Sequence, residues 1–484
     1  MIKAKFAVVT DLHYFSPTLT DGGRAYDLRS GKDQKCLLET GAIIDAAFKQ
    51  LAADDNIESV LIPGDLTCDG EKVAHLELIE KLKELKKHKN VYVTVATHDW
   101  CCDQNAKTYF GDETAPLTET ASIDDLGELY YEFGRSQAIA EYKIFNGLYS
   151  YVVKLGEGVR LLALNDDQSG HNSSGFGEDH LEWIKEQMDE AKKAGDKLVA
   201  MQHHVVLKHY TDLLTSKGLC CGNREQVAEF LTENGVELLF VGHSHMQNIT
   251  EYISQNGNKM VQMNLASLTG HPGAIAKVDI DDEYITVKTE QVGEFEYDGK
   301  TLNADYITEH SKSFVSNIVD SAAKGDYEEF SARLKALGLE SGAVKRFLFI
   351  IKRLIKYINT VNVGAFAKKA NHLTFGKAVD SKAAKEIADK KVIDLVYEIF
   401  LNLVDGGFHK YEKGSATYTV VTQVAALPSK IVSHLGFVPQ KVKSLLEEIS
   451  VLSGMLIADE TDNNYIKYRH SQKHTAQAAQ EVNV

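Results

Sequence analysis

The sequence predicts an α/β fold of two packed sheets with helices outside them, followed by a helical region. Apolar runs typical of buried strands alternate with helical segments through the first half of the chain. Both parallel and antiparallel strand patterns occur there, which favours two sheets over a single one. Beyond about residue 296 the apolar residues repeat at helical spacing instead.

The first strands are KFAVVTD, SVLIPGD and VYVTVAT, and helices are predicted between them, in KCLLETGAIIDAAFKQLAAD and around VAHLELIEKLKELKKH. This alternation predicts a largely parallel arrangement with crossover helices. The stretch YSYVVKLGEGVRLLALND differs, because Gly156 and Gly158 separate two β-rich runs, and it predicts a hairpin. Helices in GEDHLEWIKEQMDEAKKAG and NREQVAEFLTENG then accompany the strands KLVAMQH and VELLFVG.

Four short strands, NITEYIS, KMVQMNLAS, AIAKVDID and YITVKTEQV, follow in sequence. The polar stretch GEFEYDGKTLN after them marks a predicted boundary between a domain of residues 1–295 and a helical domain of residues 296–484. Apolar stripes in the second part, such as Ile393, Val396, Phe400 and Leu403, predict a helical core rather than a cofactor site. A polar tail from about residue 461 is expected to fray.

Composition limits the classes of partner. The 484 residues carry a formal net charge of −16, which disfavours a nucleic-acid partner because such proteins usually carry a basic surface. No run approaches the roughly 18 apolar residues of a membrane span, and the N-terminus lacks the apolar core of a signal peptide. A cytoplasmic protein with free thiols and no membrane partner is therefore expected. The oligomeric state stays open.

Carboxylate and imidazole side chains follow five of the predicted strands, at Asp11, His13, Asp65, His98, Asp99, His203, His204, His243 and His245. In open α/β sheets, sites form beyond the carboxyl ends of the strands, so these side chains can converge on one pocket. His243 and His245 alternate on an extended segment and face one side, and Gly242 permits close approach of the backbone. This ligand set suits Mn, Fe, Zn or Ni.

The ordered motifs resemble those of the calcineurin-like metallophosphoesterase superfamily, which carries D-x-H, G-D, G-N-H-[DE], a lone His and G-H-x-H. Here they read Asp11-Leu12-His13, Gly64-Asp65, Thr97-His98-Asp99, His203 and Gly242-His243-Ser244-His245. The resemblance covers residues 1–290 approximately. It implies a four-layer α/β/β/α sandwich, which agrees with the two sheets read from the strand patterns, and a C-terminal all-helical domain would follow it.

The resemblance also implies two divalent or mixed-valence metal ions, with Mn, Fe, Zn and Ni all compatible. By analogy, Asp65 bridges both ions. The ligands of the first ion would be completed by Asp11, His13 and His245. Those of the second ion would be completed by His203, His243 and Thr97. The family has Asn where this chain has Thr97, and a hydroxyl is a weaker ligand than an amide oxygen, so a weaker second site is expected.

Two more roles follow from the resemblance. His98 would stand near the leaving group as a general acid or phosphate-orienting donor, with Asp99 as its partner. Of the two adjacent histidines, His203 is the expected metal ligand, because the family uses the first histidine of this element. His204 would point the opposite way and is expected to contact substrate or a neighbouring loop.

The implied function is a metal-dependent phosphoesterase that hydrolyses a phosphodiester or phosphomonoester with a hydroxide activated by two metals. The pattern is similar to that of members acting on phosphodiesters, so cyclic and other nucleotides are candidate substrates. The alternative is a catalytically weak scaffold or binding module with the same fold, which Thr97 favours. A nuclease would need a basic patch beside the metals, which the acidic charge disfavours.

Overall fold

The computed structural model describes residues 1–116, 118–144, 147–167, 174–208, 220–324, 328, 348–374, 376–407, 410–433, 440–458 and 462–470. Its strands are β1 (Ala4–Val8), β2 (Ser59–Pro63), β3 (Asn90–Thr94), β4 (Lys107–Phe110), β5 (Glu113–Pro116), β6 (Ala140–Lys143), β7 (Tyr149–Gly156), β8 (Val159–Ala163), β9 (Lys197–Met201), β10 (Val236–Val241), β11 (Asn248–Ile253), β12 (Lys259–Asn264), β13 (Ala274–Ile280), β14 (Tyr284–Gln291), β15 (Phe295–Tyr297), β16 (Lys300–Leu302) and β17 (Tyr465–Arg469).

The helices within those ranges are α1 (Arg24–Ser30), α2 (Thr40–Ala52), α3 (Lys72–Lys86), α4 (Ile123–Leu129), α5 (Glu178–Ala194), α6 (Arg224–Glu233), α7 (Ala304–Lys324), α8 (Leu348–Ile358), α9 (Val363–Leu373), α10 (Ser381–Glu386), α11 (Val392–Asp405), α12 (Ala416–Ser433) and α13 (Gln440–Ile457). Among these helices, none combines the length and apolar character that crossing a membrane requires.

The described strands form two large sheets. The first has the order β17-β14-β13-β1-β2-β3, and β1, β2 and β3 within it are parallel. The second has the order β11-β12-β10-β9-β8-β7-β6, with a parallel centre from β8 to β12. The predicted hairpin is confirmed, because β7 and β8 pair antiparallel.

Each sheet is covered on both faces by apolar side chains. Phe6 and Val8 of β1 point into the core between the sheets, whereas Ala7 points into a core beneath α2 and α3. A third core lies between the second sheet and the helices α5 and α6. The layers therefore run helix, sheet, sheet, helix, and the predicted four-layer sandwich is confirmed.

The stretch predicted as a boundary is built into the sandwich. It forms the hairpin of β15 and β16, and Phe295 packs into the core beneath α2 together with Ile307 of α7. From α7 to α13 the described chain is helical, as expected for the C-terminal region. The division between residues 295 and 296 stays a prediction.

The expectation of a frayed tail from about residue 461 is wrong for residues 465–469. These residues form β17, which pairs antiparallel with β14 as an edge strand of the first sheet. Ile466 and Tyr468 pack against the core between the sheets, and the Tyr468 hydroxyl donates to the carbonyl of Glu237 at 2.9 Å. The partner strand lies far back in the sequence, so local polarity gave no indication of it. The C-terminal region is therefore not all-helical, and residues 471–484 lie outside the described chain.

The helical region also contacts the loops that carry the last histidine motif. The backbone N–H of Gln247 donates to the carbonyl of Val404 in α11 at 2.8 Å. His271 Nε2 lies 3.1 Å from Asp405 Oδ2, and both side chains are buried. The end of α11 thus supports the loop that follows β10.

We predict that Tyr468→Ala lowers the free energy of unfolding by about 2 kcal/mol, because it removes a partly buried ring and a hydrogen bond to Glu237. Tyr465→Ala in the same strand is the matched control and is expected to change it by less than about 0.5 kcal/mol, since Tyr465 is 46% exposed. Urea unfolding of the full chain measures both. Equal effects of the two substitutions would contradict the placement of β17.

Candidate metal centre

The predicted ligands lie at the carboxyl ends of strands in both sheets, and most of them adopt an unusual backbone conformation. The angle φ is positive at Asp11 (52°), His13 (41°), Asp65 (50°), His243 (66°) and His245 (55°). Non-glycine residues in this region cost about 1–3 kcal/mol each and cluster at functional sites. The backbone is therefore bent to aim these side chains at one place.

Two glycines make the close approach of these loops possible. A Cβ on Gly242 would lie 2.3 Å from Asp11 Oδ2, and a Cβ on Gly64, where φ is 88°, would lie 2.7 Å from His203 Nδ1. Real Cβ atoms do not approach other atoms so closely. Each glycine thus lets one strand end pack against a ligand from another strand.

The structure brings the first predicted ligand group together. His13 Nε2 and His245 Nε2 lie 3.0 Å apart, and Asp11 Oδ1 lies 3.2 Å from His245 Nε2. All three side chains are nearly inaccessible to solvent. Two imidazole nitrogens and one carboxylate oxygen point into the same small volume, which fits a divalent ion of the first transition series.

The second group is equally close, and one carboxylate joins it to the first. His203 Nε2 lies 3.1 Å from Asp65 Oδ2 and 3.2 Å from His243 Nδ1. The same Asp65 Oδ2 lies 3.7 Å from His13 Nε2. Asp65 thus stands between the two groups, in the position that a carboxylate shared by two ions must take.

Backbone contacts fix the ring orientation at His203. Its Nδ1 donates to the carbonyl of Pro63 at 2.9 Å, so Nε2 faces Asp65. Burial is the largest influence on the pKa of His203 and lowers it, but the charge and hydrogen bond of Asp65, together with Asp11 and the carbonyl of Pro63, raise the pKa well above its usual range. Burial raises the pKa of Asp65, and His203 and His98 hold it well below its usual range. The carboxylate is therefore ionised, as a ligand must be.

His98 lies beside the first group, with its ring centroid 4.9 Å from that of His13. Its Nδ1 donates to the carbonyl of Cys68 at 2.6 Å and lies 3.7 Å from Asp69 Oδ1. Burial lowers the pKa of His98, but Asp65 and Asp69 raise it to about 9. The expected pairing of His98 with Asp99 is therefore wrong, because the carboxylate beside its ring is that of Asp69.

Asp99 instead holds the loops after β2 and β3 together. Its Oδ1 accepts from the backbone N–H groups of Leu66 (2.8 Å) and Thr67 (2.9 Å), and its Oδ2 accepts from that of Ala96 (2.8 Å). Burial and the nearby Asp65 raise the pKa of Asp99 to about 7. The Asp99 carboxylate thus holds the loops that carry Asp65 and His98.

Thr97 lies half-buried in the same turn, and its carbonyl accepts from the backbone N–H of Cys102 at 3.1 Å. Its neighbour His98 donates its own backbone N–H to Asp65 Oδ1 at 3.2 Å. The turn is therefore placed next to the shared carboxylate. Whether the Thr97 hydroxyl serves as a ligand stays a prediction.

His204 faces two carboxylates that the sequence reasoning missed. Its Nδ1 lies 3.2 Å from Asp166 Oδ1 and 3.7 Å from Asp167 Oδ1, and its ring centroid is 4.4 Å from that of His243. Asp166 and Asp167 follow the end of β8 after two residues, as Asp11 follows β1, so the rule that found the other ligands could have found them too. These carboxylates occupy one side of the His204 ring. Its predicted contact with substrate stays a prediction.

The segment between α1 and α2 also reaches the centre. The side-chain amide of Gln34 contacts Nδ1 of His245, and the backbone N–H of Cys36 donates to the carbonyl of Thr269 at 3.0 Å. This segment follows no strand, so the strand-end rule that found the other ligands does not apply to its residues.

Several solved structures are similar to this chain at low identity. A dimetal phosphatase from Danio rerio is 14% identical, with 62% of this chain and 99% of that chain covered and a TM-score of 0.43. A purple acid phosphatase from yellow lupin is 13% identical, with 62% and 53% covered and a TM-score of 0.40. A NAD nucleotidase from Haemophilus influenzae is 9% identical, with 75% and 62% covered and a TM-score of 0.34.

No curated protein matches the chain at a significant level. The family model described as calcineurin-like phosphoesterase matches residues 4–247, which is half of the 484 residues. That range begins with β1 and includes all six carboxylate and imidazole side chains of the two ligand groups. The chain therefore belongs to the calcineurin-like phosphoesterase family.

Proposed function

We propose that this chain hydrolyses a small phosphate ester with two metal ions, one in each ligand group. The position of Asp65 Oδ2, 3.1 Å from His203 Nε2 and 3.7 Å from His13 Nε2, carries the proposal. A carboxylate placed between two ligand groups can bind an ion in each group. A site for a single ion would not need such a shared carboxylate.

Family membership makes the chain a metal-dependent hydrolase of phosphoester bonds, and it implies two divalent ions. When bound, such ions neutralise phosphate oxygens and lower the pKa of water. In the proposed assignment, Asp11, His13 and His245 hold the first ion. His203 and His243 hold the second with Thr97, and Asp65 serves both.

The imidazole of His98 would donate the proton that the leaving oxygen needs. It is placed for this, because its Nδ1 is engaged with the carbonyl of Cys68 and its ring lies beside His13. The carboxylates of Asp65 and Asp69 raise the pKa of this imidazole to about 9, so it is protonated at neutral pH. Asp99 contributes by holding the loops that carry Asp65 and His98.

Phosphodiesters, phosphomonoesters and nucleotides are the proposed substrate classes, and the chain's net charge of −16 disfavours a nucleic-acid polymer. The six cysteines are free thiols in the structure, which supports a cytoplasmic location. The competing function is a catalytically weak scaffold, which Thr97 favours. Against it, every predicted carboxylate and imidazole ligand is present and aimed at the centre.

The first prediction about the proposed activity concerns Asp65. We expect the full chain in Mn²⁺ to hydrolyse p-nitrophenyl phosphate or bis(p-nitrophenyl) phosphate, and Asp65→Asn to lower kcat by about a hundredfold or more, because a shared anionic ligand is lost. Asp45→Asn is the matched control, since that carboxylate is exposed on α2. No turnover of either ester and no bound metal by elemental analysis would support the scaffold instead.

A second prediction concerns Thr97. An amide oxygen is a better neutral ligand than a hydroxyl, so Thr97→Asn is expected to raise the metal content at limiting Mn²⁺ towards two ions per chain. Elemental analysis after gel filtration measures this content, and Thr94→Asn serves as a control on β3. An unchanged metal content would show that Thr97 does not limit the second site.

The third prediction is a shift in pH dependence. A general acid must be protonated, so activity should fall as pH rises through the pKa of His98. Asp69 raises that pKa, and Asp69→Asn should therefore move the alkaline limb of kcat to lower pH. His98→Gln should remove that limb altogether. An alkaline limb that keeps its position in Asp69→Asn would rule out this role for Asp69.

A further inference from the structure

A third group of carboxylate and imidazole side chains lies at the edge of the second sheet. Asp166 and Asp167 follow β8, His204 follows β9, and these two strands are parallel neighbours. Their carboxyl ends therefore meet at one edge of the sheet. One ligand atom from each of the three side chains lies within 4.8 Å of the other two. The third group shares no side chain with the two ligand groups already described.

The spacing in the third group equals that in the first ligand group. His204 Nδ1 lies 3.2 Å from Asp166 Oδ1 and 3.7 Å from Asp167 Oδ1. The contacts between carboxylate oxygen and imidazole nitrogen in the first ligand group are also 3.2 and 3.7 Å long. Two atoms bound tetrahedrally to one ion at about 2.0–2.2 Å lie about 3.3–3.6 Å apart. The third group therefore has the dimensions of a site for one ion.

Hydrogen bonds hold both carboxylates in this orientation. Asp166 Oδ2 accepts from Gln202 Nε2 and from the backbone N–H of His204, both at 3.1 Å. Asp167 Oδ2 accepts from Trp100 Nε1 at 3.1 Å. Because these donors engage the Oδ2 atoms, the Oδ1 atoms are left to face the imidazole. Donors that contact a carboxylate in this way orient metal ligands in proteins.

The imidazole of His204 provides an independent indication of an ion. The residue is only 3% exposed, and its Nδ1 makes no hydrogen bond even though Asp166 Oδ1 is 3.2 Å away. A buried N–H group beside a carboxylate is normally aligned with it, because a buried donor without an acceptor is costly. A neutral ring with its lone pair at Nδ1 would instead be satisfied by a cation between the three side chains.

The third group is adjacent to the second ligand group but is directed elsewhere. His203 Nε2 faces Asp65 at 3.1 Å, whereas His204 Nδ1 faces Asp166. The rings of His204 and His243 have centroids 4.4 Å apart. The two adjacent histidines thus belong to different groups, and an ion in the third group would need no ligand from the second.

The ligand types limit which ion would fit. Two carboxylates and a neutral imidazole together carry a charge of −2, which one divalent ion balances, and buried charges in proteins are paired or bind metals. Ca²⁺ and Mg²⁺ take oxygen ligands, so the imidazole disfavours both. Zn²⁺ binds imidazole nitrogen and carboxylate oxygen at nearly equal distances. A divalent ion of the first transition series is therefore the expected occupant.

We propose that Asp166, Asp167 and His204 bind a third divalent transition-metal ion, separate from the two ions of the proposed hydrolytic centre. The ion would join the carboxyl ends of β8 and β9 and add positive charge beside the second ligand group. Binding at this site requires no hydrolytic activity.

The test uses the full chain with Asp65→Asn, which removes the shared carboxylate of the other two groups. To this chain we add either Asp167→Asn or the control Asp189→Asn, whose carboxylate is 46% exposed on α5. Asparagine at position 167 keeps an oxygen that can accept from Trp100. Elemental analysis after dialysis against Zn²⁺ and gel filtration gives the ions per chain, and isothermal titration calorimetry gives Kd. His204→Gln replaces Asp167→Asn if that variant does not fold by circular dichroism.

We expect the chain with Asp65→Asn to retain Zn²⁺, with or without Asp189→Asn. Adding Asp167→Asn should lower the content by one ion per chain, or weaken binding of that ion at least about tenfold. Mg²⁺ should not replace Zn²⁺. Equal Zn²⁺ content with and without Asp167→Asn would overturn the site and show an ordinary ion pair, as would a chain with Asp65→Asn that holds no Zn²⁺. If the unaltered chain hydrolyses no ester while one ion still depends on Asp167, the third site stands and the proposed activity fails.

Discussion

Asp65 belongs to the first sheet and His203 to the second, and the 3.1 Å contact between their side chains crosses the space between the two sheets. Everything else at the centre depends on that contact, because neither sheet supplies a complete ligand group. The core between the sheets must therefore keep the two sheets in a fixed position relative to each other. Phe6 and Phe240 contribute to this core with their rings edge to face, at a centroid distance of 5.9 Å.

The bent backbone at the ligands is supported from outside the centre. Ser267 Oγ donates to the carbonyl of Asp11 at 2.7 Å, and Thr269 Oγ1 donates to that of Leu12 at 3.0 Å. Asp99 likewise stabilises the loops after β2 and β3, by accepting hydrogen bonds from their backbone N–H groups. Non-glycine residues keep a left-handed backbone conformation only where many surrounding contacts hold them in it. The polar residues behind the ligands thus stabilise a geometry that the ligands alone would not keep.

Local patterns predicted the two sheets and their outer helices, and the resemblance to the family predicted which side chains form each ligand group. Apolar runs predict buried strands, and a polar residue shortly after such a run lies at the carboxyl edge of the sheet. Residue spacing does not encode that Asp69, rather than Asp99, lies beside His98, and β17 pairs with a strand nearly two hundred residues earlier. Such contacts are decided by tertiary packing.

The late position of β17 has a consequence for synthesis of the chain. Until residue 469 leaves the ribosome, β14 is an open edge with unpaired backbone groups. At about 5–20 residues per second, the helical region takes roughly ten to forty seconds to emerge. During that interval the nascent sandwich exposes a template for pairing with other chains. The first sheet is therefore completed only after the whole helical region has been synthesised.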